Sequence, residues 1–523
     1  MNKSNIRYLG LASISLFVGL MPLACGDDDD DVVGSAGHSG STSTAGKTST
    51  AGTAGKSNDS GGSSNVGEGG ANGGVGGDEA GAAGSGGEGG AAIVPTARLR
   101  VVHASPSAPS VDIYLAGTTT AVAKGVEYGE ATDFMVVDAG TVAFDFRAAG
   151  AKATDDPAFT TADITVDGDA DYTLVAAGDF AHPEDADVGF RVLPLQHDFE
   201  APPAGNAVAR IVHATSAWDA VDLDVVSTNG VDVPALARFG SESNVDLPAG
   251  ATIPVDFQTE ADGMLSQLVL PKLTAGSEVF VIATGNPGFP FRAPANGFAL
   301  LVVDQDGKVS WVKEQPWIHM VHASDISTVD VYETTHTAAS GKLLNDLAAE
   351  KMSAFQLPES SAGFTLKAVA SDAAAGTATG LATGPTSTIE AGEHYLSYIA
   401  SNTIQTIHEQ FDLEQPTKVM LRGVHASTSI TETVDFGPVV SNALSSALIS
   451  GVMPTESSAE AGVATNPGNL ILGASPHSLT TLLAQKTLSG TAAPIAGERD
   501  FVLLVGADGL WLVDTSVAGW TLR

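Results

Sequence analysis

From residue 96 to the end of the chain, short runs of Val, Ile, Thr and aromatic residues alternate with Gly, Pro, Asp and Asn about every ten residues. Such runs favour strands and the residues between them favour turns, so the pattern predicts antiparallel β-sandwiches. Two stretches, 341–355 and 439–452, look locally helical, and we treat both as insertions. The sequence therefore predicts an all-β fold with two short helical exceptions.

The apolar runs form a repeat. Val-His-Ala followed by Ser or Thr occurs four times, with its histidines between 103 and 110 residues apart. A Val-Asp pair follows each histidine, and its aspartate lies eight to ten residues further on. The repeated positions are His103, Asp112, His213, Asp222, His322, Asp330, His425 and Asp435. A unit of about 105 residues suits seven or eight strands in two sheets, so four tandem immunoglobulin-like or transthyretin-like sandwich modules are predicted.

The boundaries of the modules follow from the repeat. We place module 1 at 96–200, module 2 at 201–314, module 3 at 315–415 and a divergent module 4 at 416–523. In each module a glycine turn leads into a second apolar run. These runs predict strands at 172–176, 279–283, 395–400 and 501–505.

The first module carries a family resemblance. Its opening, from Arg100 through Val-His-Ala-Ser to Tyr114, is followed by Tyr128-Gly129 and Asp138-Ala-Gly140. This arrangement resembles the bacterial family called domain of unknown function 4397. Residues 97–195 match the family pattern well, 207–313 nearly as well, and the later two copies more weakly. The resemblance implies β-sandwiches in an exported bacterial protein, and it implies no established activity.

The N-terminus has the pattern of a lipoprotein. Lys3 and Arg7 precede the apolar run 8–23, which predicts a signal peptide over residues 1–24. Residues 21–26 resemble the bacterial lipobox, with Pro22 where an aliphatic residue is usual. Cys25, the only cysteine, is therefore predicted to carry acyl chains such as palmitate, which leaves no thiol for a disulfide. The alternative is a plainly secreted protein with an incidental cysteine.

Residues 25–95 predict a disordered tether. They begin with an aspartate run and continue, over 32–92, without any Leu, Ile or aromatic residue, so they cannot bury enough apolar surface to fold. The formal charge of the whole chain is -37, which disfavours binding to nucleic acid or to anionic lipid surfaces. We expect attachment to the bacterial cell envelope through the lipid, at the outer membrane or cell surface.

No catalytic constellation is recognisable. The repeated histidines share strand faces with apolar residues, which predicts buried rings that fix nearby loops by hydrogen bonds, and their presence in every module favours a folding role. We find no Gly-x-Ser-x-Gly elbow, and His319 and His322 fall on opposite strand faces with no cysteine to complete a zinc site. The segment 167–171 spaces its aspartates as a calcium loop does, but its glycine is misplaced, so we interpret it as a turn.

The function predicted from the sequence is non-enzymatic display without a cofactor, although weak Ca²⁺ binding stays open. A lipoprotein exposed at the surface or in the periplasm would present the modules for structural, adhesive or ligand-binding use. Its partners would be the membrane and an envelope glycan or protein. The alternative is a cell-envelope hydrolase with an unrecognised carboxylate-based site.

Overall fold

The computed structural model describes residues 94–523 except 227, 229, 260–262, 292–295, 335–341, 358–362, 364, 374–378, 507–508 and 518. The described part consists of strands and loops with a single 3-10 turn at Gly490–Ala492 and no α-helix, which confirms the all-β prediction. Within these residues, no helix has the length and apolar character that crossing a membrane requires. The predicted signal peptide, Cys25 and nearly all of the tether lie outside the described residues.

Modules 1 and 2 each contain two principal sheets. Module 1 has the strands β1 Thr96–His103, β2 Val111–Leu115, β3 Ala121–Val126, β4 Met135–Asp138, β5 Gly140–Val142, β6 Phe144–Ala148, β7 Phe159–Thr160, β8 Ile164–Val166, β9 Asp171–Ala177 and β10 Arg191–Gln196. Module 2 has β11 Asn206–His213, β12 Ala220–Val225, β13 Val233–Ala237, β14 Ser241–Pro248, β15 Ile253–Thr259, β16 Gly263–Leu270, β17 Glu278–Thr284, β18 Ala299–Val303 and β19 Val309–Lys313. The sheet orders are β10-β9-β1-β4 and β3-β2-β6-β7 in module 1, then β14-β11-β17-β18-β19 and β13-β12-β15-β16 in module 2.

Modules 3 and 4 repeat the scheme. Module 3 has β20 Trp317–His322, β21 Val329–Glu333, β22 Lys342–Leu347, β23 Met352–Gln356, β24 Thr365–Ala370, β25 Ala382–Pro385, β26 His394–Ala400 and β27 Thr403–His408. Module 4 has β28 Val419–His425, β29 Val434–Val440, β30 Ala443–Leu444, β31 Ile449–Val452, β32 Val463–Thr465, β33 Leu470–Pro476, β34 Ala484–Leu488, β35 Arg499–Gly506, β36 Gly509–Asp514 and β37 Thr521–Leu522. In module 3 a single pairing, Thr383 with Thr403, joins the two sheets into one.

One parallel strand pair recurs in every module. The strand that carries Val-His-Ala lies beside a later apolar strand, giving the pairs β1 with β9, β11 with β17, β20 with β26 and β28 with β35. Each repeated histidine is the last residue of its strand in this register, as in the pairing of His103 with Ala176. The later strands contain the four ranges predicted from the glycine-led apolar runs, so that prediction is confirmed.

Both predicted helical insertions are wrong. Residues 342–347 form β22, and residues 439–452 contain the end of β29, then β30 and β31. In β22 the buried residues Leu344 and Leu347 are three apart, because a bulge at Asp346, with φ of 54°, shifts the alternation by one residue. Ile449 and Val452 of β31 have the same spacing around Gly451, with φ of 75°. A spacing of three here reflects a bulged strand.

The Val-His-Ala strand is buried on both faces. In module 1, Leu99 and Val101 pack in the core of the module, whereas Val102 and Ala104 point the other way into a second apolar cluster. This second cluster, called here the 1–2 cluster, joins modules 1 and 2 and consists of Val102, Ala104, Val175, Ala177, Leu195, Val212, Ala214, Phe280, Ile282, Leu301 and Val303. The Val and Ala of the motif thus serve contact between modules.

Modules 3 and 4 pair in the same way. Their shared apolar cluster, called here the 3–4 cluster, again contains the motif residues of both modules, among them Val321 and Val424. Modules 2 and 3 instead meet through polar groups: the Gln315 amide donates to the Gln267 carbonyl at 2.8 Å and the Phe291 amide to the Gly392 carbonyl at 2.7 Å. Among the described residues, no buried apolar cluster spans modules 2 and 3. The fold is two module pairs with a polar seam between them.

Candidate functional site: the repeated histidines and aspartates

The repeated histidines are buried beside the loop that leaves their strand. In module 1, His103 is 1% exposed, its Nε2 lies 3.2 Å from the Pro109 carbonyl, and its Nδ1 accepts from the Ser105 amide at 3.4 Å. His322 and His425 make the same Nε2 contact, at 3.3 Å to the Ser327 carbonyl and 3.1 Å to the Glu432 carbonyl. The ring thereby ties the loop between the two sheets to the first strand.

Burial keeps these rings neutral. It lowers the pKa of His103, His322 and His425, and it lowers that of His213 to about 4 with help from the positive charge of Arg238. When the Nε2–H of a neutral imidazole donates to a carbonyl, that nitrogen already has its hydrogen-bond partner. His322 Nδ1 also lies 3.4 Å from the Ser324 hydroxyl, whereas neither ring nitrogen of His213 has a hydrogen-bond partner among the described residues. Because all four rings are buried and three of them bind a loop carbonyl, we interpret them as structural.

The repeated aspartates organise the bulge in the neighbouring strand. In every module the aspartate accepts a backbone N–H from a residue in the left-handed region. The donors are Gly125 to Asp112 at 2.8 Å, Ala235 to Asp222 at 2.6 Å, Asp346 to Asp330 at 2.9 Å and Gly451 to Asp435 at 2.8 Å. The strand pairing shifts register beside each aspartate. The carboxylate therefore satisfies the amide that the bulge leaves without a strand partner.

Three of these aspartates also accept a second amide, from a turn. Gly150 donates to Asp112 at 3.2 Å, Asp372 to Asp330 at 3.3 Å and Ser478 to Asp435 at 3.0 Å. Each donor has positive φ and comes two residues after the adjacent strand ends. The sequence did not predict these three donors, because only one of them, Gly150, is a glycine that would mark a turn.

Asp435 has the fullest set of donors. Burial alone would raise its pKa, but hydrogen bonds from His477, the Ser478 and Gly451 amides and the Ser450 hydroxyl outweigh that effect and lower the pKa to about 2. The carboxylate is thus charged and occupied throughout the physiological range. Its role is to hold β29, β31 and the turn after β33 together.

We expect Asp435→Asn to lower the free energy of unfolding of module 4 by about 2 kcal/mol at pH 7. Because the folded-state pKa lies below the ordinary value, this stability is present above about pH 4 and is lost as pH falls towards 2. In denaturant titrations from pH 7 to pH 2, the difference in the free energy of unfolding between variant and wild type should become smaller as pH falls. The control is Glu432→Gln, which also replaces a carboxylate by an amide but on an exposed side chain of this module, and should have little effect. If the free energy of unfolding of Asp435→Asn stayed below that of the wild type by a constant amount down to pH 2, the assignment would be contradicted.

Ser450, His477 and Asp435 are the residue types of a hydrolytic triad, but their geometry is different. His477 Nδ1 lies 2.8 Å from Asp435 Oδ1 and 3.4 Å from Ser450 Oγ, so one nitrogen faces both partners. Ser450 Oγ also donates directly to Asp435 at 2.9 Å. A triad needs the serine on the far nitrogen, which accepts its proton. This group therefore serves as a hydrogen-bonded cap.

A buried acidic group lies at the end of module 4. Carboxylate oxygens of Glu498, Asp500 and Asp514 come within 4.8 Å of one another. Arg523 pairs with Glu498 and lies 2.9 and 3.1 Å from the two oxygens of Asp500. Burial raises the pKa of Asp500 and of Asp514. The guanidinium supplies the counter-charge, so this group is an ion-paired anchor for the C-terminus.

The segment 167–171 is the turn predicted for it. It connects β8 to β9, and its last carboxylate, that of Asp171, pairs with Arg98. The Asp167 amide donates to the hydroxyl oxygen of Tyr172 in β9 at 3.1 Å. Among the described residues, the group of three or more carboxylates within 4.8 Å of one another does not include these aspartates.

The match to a protein family fits the motif geometry of the first two modules. Residues 97–224 match the family described as Domain of unknown function (DUF4397). The DUF4397 match begins in β1 and ends in β12, so it contains both histidine and aspartate positions of modules 1 and 2. It also contains the motif strands β1 and β11 of both modules in the first pair.

The other comparisons add little. No curated protein matches the sequence. One solved structure, the "Product complex of a multi-modular glycogen-degrading pneumococcal virulence factor SpuA", aligns with 75% of this chain and 38% of that chain at 11% identity. Its TM-score is 0.14, so this likeness carries no argument about fold or function.

Proposed function

We propose that this protein is a lipid-anchored envelope lipoprotein that holds two rigid pairs of β-sandwich modules away from the membrane, as a structural, adhesive or ligand-binding display. The observation that carries the proposal is that the repeated polar residues are consumed inside the fold. Three of the four histidines bind loop carbonyls, and all four aspartates accept the amide of a bulge, so the repeat preserves the shape of the modules.

The N-terminal sequence supports the anchoring part of the proposal. A positive start, an apolar run and a single cysteine followed by small and acidic residues form the pattern of a lipidated exported chain. Two or more acyl chains bind a bilayer in an effectively permanent way. The outer membrane or cell surface is the proposed location.

The paired packing supports the display part. Each pair shares a buried apolar cluster with side chains from both of its modules, which joins the two modules into one stiff body. Tandem bodies on a long tether raise the effective concentration of weak binding surfaces, which suits adhesion to a glycan or protein in the envelope. We propose no hydrolytic activity, since the carboxylates described above are engaged in structural contacts.

The anchoring is tested by Cys25→Ser in the full-length chain. We expect the wild-type protein to partition into the membrane fraction and to incorporate labelled palmitate, and the variant to lose the label completely and appear in the soluble fraction. Gly26→Asp serves as a matched control beside the cleavage point and should remain labelled. A wild-type protein whose Cys25 proves unmodified by mass spectrometry would refute the anchor.

A further inference from the structure

Trp520, three residues before Arg523, is buried in the contact between modules 3 and 4. Its side chain belongs to the 3–4 cluster, and the residue is 3% exposed. Its indole stacks on the imidazole of His319 in β20, with ring centroids 3.9 Å apart and planes 9° from parallel. Module 4 thus covers a titratable ring of module 3 with an aromatic lid.

His319 continues into a buried polar chain. Its Nε2 lies 3.3 Å from His394 Nδ1, and His394 Nε2 lies 3.6 Å from Glu314 Oε1. Glu314 Oε2 accepts hydrogen bonds from Ser266 Oγ at 2.9 Å and Trp317 Nε1 at 3.2 Å. His319, His394 and Glu314 are each at most 2% exposed. The far nitrogen of His319, Nδ1, has no hydrogen-bond partner among the described residues.

Besides the stack on His319, the segment that carries Trp520 is held by a short edge strand, by two backbone hydrogen bonds between Arg523 and Leu512, and by the ion pairs of Arg523. Strand β37 pairs with β36 only through Thr521 and Leu522, and the Arg523 amide donates to the Leu512 carbonyl at 2.9 Å. The Arg523 guanidinium pairs with Glu498 and Asp500 of module 4, with Lys486 and Asp514 near the same group. A two-residue edge strand opens more readily than the sheet that it borders.

Protonation of His319 is unfavourable while Trp520 is stacked on the ring. Burial, together with His394, holds the pKa of His319 well below its ordinary value. A ring uncovered by departure of Trp520 would regain solvent, which removes the larger cause of the shift and raises its pKa towards the ordinary value near 6.5. Below that pH the open state gains a proton that the closed state does not carry, so acid favours opening.

We propose that residues 520–523 are a proton-sensitive clasp, which locks module 4 onto module 3 at neutral pH and is released in acid when His319 takes up a proton. The clasp would regulate how rigidly the second module pair is presented. This inference goes beyond the display function and does not depend on lipidation.

Hydrogen exchange on the full-length chain tests the clasp. The opening constant of the C-terminal peptide, corrected for intrinsic exchange chemistry, should rise by about 20-fold between pH 7 and pH 5 if one histidine is protonated only on opening. His319→Phe keeps an aromatic ring against Trp520 but cannot titrate, so its opening constant should be nearly constant over the same range.

His182→Gln is the matched control. His182 lies in module 1 with its side chain 68% exposed, so its loss should leave the pH response of the C-terminal peptide intact. A wild-type peptide whose opening is independent of pH would overturn the proposal even if a variant fails to fold. A full pH response retained in His319→Phe would do so as well.

Discussion

Ala214→Asp should unfold modules 1 and 2 together and leave modules 3 and 4 folded. Ala214 is 1% exposed within the 1–2 cluster, where a carboxylate would be surrounded by apolar side chains of both modules. An uncompensated buried charge costs about 4 kcal/mol, which is a large share of the stability of a domain. Hydrogen exchange followed by mass spectrometry should show β1 and β11 losing protection in parallel.

Ala217→Asp provides the control for this result. Ala217 lies three residues further along, in the exposed loop after β11, so the same substitution there should change stability by less than about 0.5 kcal/mol. If Ala214→Asp released module 2 while module 1 kept its protection, the pair would not be the cooperative unit. Loss of protection in all four modules would contradict a polar seam between the pairs.

The stability of the first pair should fall by about 3 kcal/mol between pH 6.5 and pH 4 through His213 alone. Its folded-state pKa is about 4 because the ring is buried near Arg238, whereas the unfolded chain titrates near 6.5. Below pH 6.5 the unfolded state binds a proton that the folded state excludes, so stability is lost as pH falls and levels off below about pH 4. Denaturant titrations across this range should show a flatter profile in His213→Gln.

Other buried histidines also lower the stability of the wild type in acid. The difference in pH dependence between His213→Gln and wild type therefore gives the contribution of His213. His182 offers a contrast, because its side chain is 68% exposed and Asp179 raises its pKa. Its folded-state pKa lies above the unfolded value, so His182 favours folding as pH falls. His182→Gln should therefore leave the loss in acid at least as steep, and a flatter profile would contradict the assignment to His213.

Much of the strand framework was predictable from the sequence. The spacing of Val-His-Ala and the glycine-led apolar runs located the two central strands of each module, because a parallel pair buried on both faces is a run of apolar residues bounded by turns. Strand alternation predicted that the side chains of His319 and His322 lie on opposite faces, and the structure places them on opposite sides of β20.

The pairing of modules was not predicted, although a signal for it is present. Arg98 and Arg100 precede Val102 on the same face of the strand, but Val102 and Ala104 are apolar, so the end of the strand has apolar residues on both faces. A strand with one face in a sandwich core and one in solvent would alternate. The loss of alternation at the end of the strand indicates a second buried contact, but the sequence does not say which module supplies it.

The erroneous helices have a physical explanation that modules 2, 3 and 4 share. A residue in the left-handed region inside a strand places two buried side chains three positions apart, as in Val233 and Leu236 around Ala235, with φ of 48°. The same spacing marks one turn of a helix. A bulged strand differs from a helix in that an aspartate on the adjacent strand accepts the amide of the bulge. This contact joins two different strands, so it is visible only in the fold.

The shared apolar clusters restrict how such a chain can lengthen or shorten during evolution. A lone sandwich would leave its Val and Ala side chains on an uncovered, adhesive patch, and would invite association with other nascent chains during export. Gains and losses by recombination should then be tolerated in even steps, two sandwiches at a time.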